Sequence, residues 1–326
     1  MKAVTLKEFG GPEVLQIGDA PTPEPKADDL LVRVRATALN RADTLQRRGH
    51  YPPPPGDSEI LGLELAGEVE AWGTNVQGFS KGQRVFGLVG GGGYGEYALL
   101  DKDMAMPIPD GWSFTEAAAV PEVFLTANET VFVLGGLQGG ESVLIHAGGS
   151  GVGTAAIQMA HHIGAKVFFT AGSQEKISKA QALGGDVGIN YKEEDFAEVI
   201  KAHTGGKGVQ VVEDFLGASY LEKNMAALAE GGRLVMVALM GGVKTEINLG
   251  RLLSKRLQIF GSVMRARSLE DKRAITARFV ERWLPLLING SIRPVIDCSF
   301  PLEQVVEAHT YMEQNRNFGK IILTLD

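Results

Sequence analysis

The residues best placed to do chemistry are Gly148-Gly149-Ser150-Gly151-Val152-Gly153. They follow an apolar run at 142–147 and lead into 151–163, where Val152, Ala155, Ala156, Met159 and Ile163 recur at helical spacing. A strand, a glycine-rich turn and a helix in that order suit a dinucleotide pyrophosphate. The glycines allow a tight turn and close backbone approach, and the helix start offers free N–H groups and partial positive charge. Ser150 stands where the strict pattern has its middle glycine, and its hydroxyl can donate to phosphate. On the turn alone, a glycine-rich connection with no ligand is the competing reading.

A second set of residues bears on which dinucleotide. NAD binders tend to place a carboxylate about 20 residues on, at the end of the next strand, to bond the ribose hydroxyl. Residues 167–172 end without one, and Ser173 follows as a hydroxyl donor with Lys176 as a point charge one turn later. Tyr191, after the next short strand, can add a hydroxyl to the same pocket. This favours NADP over NAD, although a solvated helix lysine is the alternative for Lys176. Open α/β sheets bind ligands at the carboxyl ends of their strands. Leu239, Met240 and Gly241, after a strand expected at 234–239, are therefore expected to border the cofactor. Gly261 and Ser262, closing the strand at 258–262, are weaker candidates of the same kind.

Positioning these residues takes two kinds of architecture. To about residue 120 the chain reads as β-rich, with runs at 30–36, 65–72 and 84–89 separated by Gly and Pro clusters, suggesting a compact, barrel-like domain. After residue 122, strands at 142–147, 167–170, 187–190, 209–214, 234–239 and 258–262 alternate with helical stretches at 151–163, 174–183 and 220–228. That alternation predicts a parallel, doubly wound sheet. From Pro294 the tail returns to mixed strand and helix and ends in a strand at 321–325, so it can pack back on the first domain and make it discontinuous.

Composition narrows the partners. The 326 residues are 44% hydrophobic and 22% charged, with a net charge of −7, a surface that repels nucleic-acid phosphates. No run approaches the ~18 apolar residues of a membrane span, and the cytoplasm is the expected location. Cys298 is the only cysteine, so no internal disulfide and no Cys-rich metal cluster can form.

Over essentially its whole length the chain resembles the zinc-independent quinone oxidoreductases of the medium-chain dehydrogenase/reductase superfamily. The resemblance is carried by Asn40-Arg41-Ala42-Asp43, Gly62-Leu63-Glu64, Pro121–Ala127, His146–Gly153, Thr170–Lys176, Ile189-Asn190-Tyr191 and Asn317-Phe318-Gly319-Lys320. It implies an α/β fold in which a Rossmann domain at 123–265 is inserted into a discontinuous, β-rich GroES-like domain at 1–122 and 266–326. It also implies that the catalytic zinc positions of the related alcohol dehydrogenases fall on Asn40, Leu63 and Glu122. Leucine cannot coordinate, and zinc wants sulfur or imidazole ligands, so no metal is expected.

The resemblance places Asn40 and Thr126 near the nicotinamide; for Asn40, capping the turn into residues 41–47 is the alternative. Tyr51, ahead of the proline run at 52–55, is the candidate to stack on or donate to a quinone oxygen, or else a surface aromatic on a rigid loop. Asn317 and Lys320 are candidates to reach the adenosine phosphates, with Lys320 alternatively plain surface charge. The activity implied is NADPH-dependent hydride transfer to quinones or related conjugated carbonyls by a homodimer. An NADPH-dependent enoyl or enone reductase, needing a proton donor such as Tyr51, is the alternative, and a low-activity NADPH-binding protein is the reading from another class.

Overall fold

The computed structural model describes residues 1–325, which divide into two compact units. The first holds Met1–Leu125, Arg265–Ile288 and the residues from Pro294 on; the second holds Thr126–Met264 and Asn289–Arg293.

In the first unit β1 (Lys2–Leu6) and β2 (Leu15–Asp19) form an antiparallel pair. The main sheet is built from β3 (Asp29–Ala38), β4 (Glu64–Trp72), β5 (Arg84–Leu88), β6 (Tyr97–Asp101), β7 (Met106–Pro107), β14 (Ile296–Pro301) and β15 (Lys320–Thr324). Its order is β14-β15-β3-β4-β5-β7, with β6 also on β3. Along β3 the exposed Arg33 and half-buried Arg35 alternate with buried Val32, Val34 and Ala36, the period-2 pattern of a half-solvated sheet. β15 runs antiparallel to β3, pairing Ile322 with Ala38 and Thr324 with Ala36, so the tail does return to the N-terminal sheet.

The second unit is a six-stranded parallel sheet of β8 (Ser142–Ile145), β9 (Lys166–Ala171), β10 (Val187–Asn190), β11 (Val209–Asp214), β12 (Leu228–Met236) and β13 (Gln258–Gly261), ordered β10-β9-β8-β11-β12-β13. The order reverses between β8 and β11, which makes this a doubly wound Rossmann sheet with its switch point there. Its central strands β8, β9 and β11 are buried almost throughout, as a helix-covered parallel sheet requires. Leu144, Phe168, Ile189, Val212 and Leu234 meet Phe196, Ile200, Leu221 and Met225 in one core.

Two details differ from the sequence expectation. The strand expected at 234–239 begins at Leu228 and ends at Met236. Gly231, at φ 71°, sits where the β11–β12 register shifts, so the chain bulges before pairing resumes at Arg233. Residues 269–282 and 284–288 are helices that the apolar pattern did not announce. Pro285 lies in the first turn of the second, where its missing N–H costs nothing. Among the described residues, no helix is long and apolar enough to cross a membrane.

Candidate functional site

In the second unit β8 ends at Ile145 and the chain turns through Ala147, at φ 51°, into Gly148 and the helix Gly151–His162. Ser150 caps that helix, its hydroxyl oxygen accepting from Gly153 N–H at 3.0 Å. That leaves the hydroxyl hydrogen free to donate outward, along with the remaining first-turn N–H groups. Gly153 has to be glycine because a Cβ there would sit 2.4 Å from the Ala147 carbonyl oxygen. The whole run Gly148, Gly149, Ser150, Gly151, Val152 and Gly153 thus lies at the carboxyl end of β8, beside the switch point.

At the end of β9 Ser173 caps the next helix, Gln174–Gln181, and accepts from Lys176 N–H at 3.3 Å. Tyr191, at the end of β10, is brought to the same place, since a Cβ on Gly172 would meet its hydroxyl oxygen at 2.7 Å. Ser173 and Tyr191, apart in sequence, therefore lie past two adjacent strand ends, with Lys176 in the first turn of the helix that Ser173 caps. The half-exposed Leu239 and Met240 and their neighbour Gly241 are pinned to the loop after β11: Met240 and Gly241 N–H donate to Phe215 and Leu216 carbonyls at 3.1 and 2.7 Å. Sequence reasoning missed that partner loop. Asp214 organises it by accepting from Leu216 and Gly217 N–H. Gly261 closes β13, Ser262 is buried and bonded through its N–H to Met236, and Thr126 is buried.

Beneath the turn His146 is fully buried between Phe196 and Tyr220, its ring nitrogens on Asn224 and Thr170. Burial pushes its pKa down to about 4, so the ring is neutral. Glu213, on β11, is also fully buried. One carboxyl oxygen accepts from Thr130 at 2.6 Å and the other has no partner among the described residues. Burial raises its pKa to about 8, above the unfolded value near 4.5, so the fold binds its proton more tightly than the unfolded chain does. This contribution is full below pH 4.5 and fades as pH rises toward 8. The near-isosteric Glu213→Gln should therefore gain stability on the wild type over that window, by about 1.4 kcal/mol per pH unit. Melting curves at pH 5 and pH 8 check this, and a gap that does not widen refutes it.

In the first unit, Glu64 at the start of β4 is the centre. Its buried carboxylate accepts from Asn40 Nδ2 at 2.8 Å, Lys320 Nζ at 2.7 Å and Glu122 N–H at 2.8 Å. Lys320 Nζ also donates to the Leu39 carbonyl and Asn40 Oδ1. All three of its donors are spent inside the unit and only 3% of its side chain is exposed. Neither the phosphate role nor the surface role expected of Lys320 matches that placement, because an ammonium has no fourth donor. Asn317 is likewise turned onto its own loop, its Nδ2 donating to Gly319 O at 2.8 Å. Asn40 stands at the N-cap of the helix Arg41–Arg47, its backbone N–H donating to Asp43 Oδ2 at 2.7 Å and its backbone carbonyl accepting from Asp43 N–H at 2.9 Å. Its side chain is oriented by Glu64 and Lys320, with one lone pair of Oδ1 left to accept.

A second chain of bonds runs behind this one. Arg47 can only donate, so His309 Nδ1 must accept from it at 2.9 Å, and Nε2–H then points at the Tyr94 oxygen at 3.3 Å. Tyr94 donates in turn to Asp43. Burial raises Asp43 to about 6 and lowers His309 to about 3, consistent with a neutral ring. Glu122 is pushed to about 8, first by burial and then by the Glu64 and Asp43 charges, against Lys320 and Arg265. It is therefore a carboxylic acid at neutral pH. Tyr51 is half-buried with Arg265 over its ring at 5.5 Å, and burial and Glu122 keep its phenol protonated. The signal that would have marked the Glu64–Lys320 pair is that Lys320 opens an apolar strand; Glu64 opens one that also carries Glu68 and Glu70 and so does not stand out.

Residues 26–110 match the family model "Alcohol dehydrogenase GroES-like domain", and residues 151–281 match "Zinc-binding dehydrogenase". The chain is 34% identical to the human quinone oxidoreductase over 328 residues, covering all of this chain and 98% of that protein. The quinone oxidoreductase of Escherichia coli, solved in complex with NADPH, superposes with a TM-score of 0.91 at 30% identity and full coverage of both chains. The CurK enoyl reductase superposes at 0.88 with 29% identity, over all of this chain and 99% of that one.

Proposed function

This chain belongs to the quinone oxidoreductase family of the medium-chain dehydrogenase/reductase superfamily, and from that premise we propose that it is an NADPH-dependent reductase of quinones or related conjugated carbonyls that works without a metal. The observation that carries the reading is the commitment of Asn40, whose amide is held by Glu64 and Lys320. With the apolar Leu63 and the protonated Glu122 at the other two positions that the resemblance assigns to a catalytic metal, the donor set does not fit zinc, which takes thiolate, imidazole or ionised carboxylate ligands. Among the described residues no other group of His, Cys, Asp or Glu is arranged to hold a metal. Without a Lewis acid, the acceptor must already be electrophilic, as quinones and enones are.

NADPH, when bound, supplies the hydride. The turn from Gly148 to Gly153 supports its pyrophosphate through backbone N–H groups and Ser150, and Ser173, Lys176 and Tyr191 support a 2′-phosphate at a strand end that carries no carboxylate. Asn40 retains an acceptor for a ribose or carboxamide donor, and Tyr51 offers a ring and a protonated phenol to the acceptor. Lys176→Ala is expected to weaken NADPH about tenfold, the scale of one charge-assisted hydrogen bond, while leaving NADH unchanged. Fluorescence titration of both cofactors reads this, and equal losses would remove the 2′-phosphate assignment.

NADPH oxidation against a panel of quinones and enones tests the activity itself. Enone turnover without quinone turnover selects the enoyl reductase reading, which the protonated Glu122 favours as a proton donor. Thermal protection by NADPH with no turnover selects a binding protein. The second unit also leaves Val243, Leu249 and Leu253 exposed close in sequence to the edge strand β13, a surface suited to the family-type homodimer. Sedimentation of the purified protein decides it.

A further inference from the structure

Arg265 is a buried cation, 4% exposed, with an unfinished set of bonds. Its Nε donates to the Gly90 carbonyl at 2.9 Å, and its Nη1 to Gln46 Oε1 at 2.8 Å and the Tyr51 carbonyl at 3.2 Å. Gln46 is itself fixed, donating to the Glu59 carbonyl at 2.9 Å. Nη2 has no partner among the described residues. A guanidinium gripped on three of its five N–H groups cannot swing to satisfy the other two. A buried charged donor left in that state is costly and calls for a ligand. The acidic groups that act on it are Asp43, Asp57, Glu122 and the Tyr51 phenol; of these, Glu122 is the protonated acid described above and Tyr51 a neutral phenol. The Tyr51 ring lies under the guanidinium, so the idle donor is beside an aromatic face.

We propose that Arg265 Nη2 is the oxygen-binding donor of the acceptor site, taking the carbonyl oxygen of a flat conjugated acceptor laid against Tyr51. The proposal rests on the reductase reading. Hydride addition to the conjugated system forms one C–H bond and shifts the π pair onto that oxygen, giving a phenolate or enolate. The cofactor is oxidised by two electrons and the acceptor reduced by two, and one proton, which Glu122 is protonated to give, completes the reduction. The fixed cation meets the charge where it develops, without reorganising.

4-Nitrophenol tests this directly, because its anion imitates the reduced oxygen and absorbs differently from the neutral phenol. In the NADP+-loaded protein the bound probe should titrate at least one unit below its free value, a tenfold or greater preference for phenolate. The lowering should vanish in Arg265→Gln and survive in part in Arg265→Lys. Failure of the probe to bind, an unshifted titration in the wild type, or a shift that persists in Arg265→Gln would each overturn the proposal. The wild-type titration decides the matter even if the glutamine variant does not fold. Quinone turnover measured alongside separates the two claims: turnover without the shift removes the Arg265 site alone. The shift without turnover upholds an anion site and removes the reductase reading.

Discussion

Lys320→Met is expected to cost the protein about 3–5 kcal/mol, the range for breaking a buried ion pair by removing one partner. The substituted side chain is apolar and similar in length, so lost packing is a small part of this. The loss comes from Glu64, which sits at 0% side-chain exposure with Lys320 Nζ 2.7 Å away as its only ion-pair partner among the described residues. Deprived of the ammonium, the carboxylate keeps one amide and one backbone N–H, too little to hold a charge away from water. Asn40 also loses the donor that fixes its carbonyl oxygen, so the affinity of any group relying on that oxygen should fall as well. Urea unfolding of the variant reads the stability change, and a loss under about 1 kcal/mol, the scale of an exposed pair, would show that the pair is not the buried one described. Adding Glu64→Gln to the variant should restore part of the loss, because the residue left behind is then neutral.

Gly153→Val should damage stability and cofactor binding together. A Cβ at this position meets the Ala147 carbonyl oxygen at 2.4 Å and Gly148 Cα at 2.8 Å, both of them backbone. No rotamer change relieves that contact, so the helix must move off the strand, at about 1–3 kcal/mol or more for an overpacked site. Ala147 is already in the left-handed region at φ 51° and has little freedom to yield. As the helix start shifts, its N–H groups leave the phosphate positions, and losing one charge-assisted bond weakens NADPH by about tenfold or more. Calorimetric titration with NADPH and a denaturation curve measure the two effects. An unchanged dissociation constant would detach this turn from the cofactor.

The parts of the molecule that were legible from the residues are those written locally. The strand, turn and helix around Gly148–Gly153 occupy consecutive residues, and Ser173 advertises itself as a cap ahead of a helical pattern, so period and glycine spacing were enough. The parts that were not legible depend on partners far apart in the chain. Lys320 and Glu64 are separated by 256 positions, and nothing around Lys320 distinguishes a buried cation from a surface one except the apolar run that follows it. Arg265 takes its hold from Gly90, Gln46 and Tyr51, none near it in sequence. The early start of β12 at Leu228 turns on a bulge at Gly231, which shows only in the pairing with β11. The helix Leu269–Arg282 escaped notice because it buries only Ile275, Thr276 and Phe279, too narrow a stripe to read as periodic.

The place of β15 between β14 and β3 has a consequence for synthesis. Ala36–Ala38 of β3 pair with Ile322–Thr324 of β15, which are made long after them. At roughly 5–20 residues per second, that stretch of backbone waits tens of seconds on the ribosome for its partner. The contiguous stretch Thr126–Met264, which holds every strand of the second sheet, is finished well before. The parallel sheet can thus form first, while the N-terminal sheet carries an open edge, the feature that invites wrong pairing between nascent chains. Yield on expression should therefore depend more on the rate of translation after residue 264 than on the stability of the finished protein.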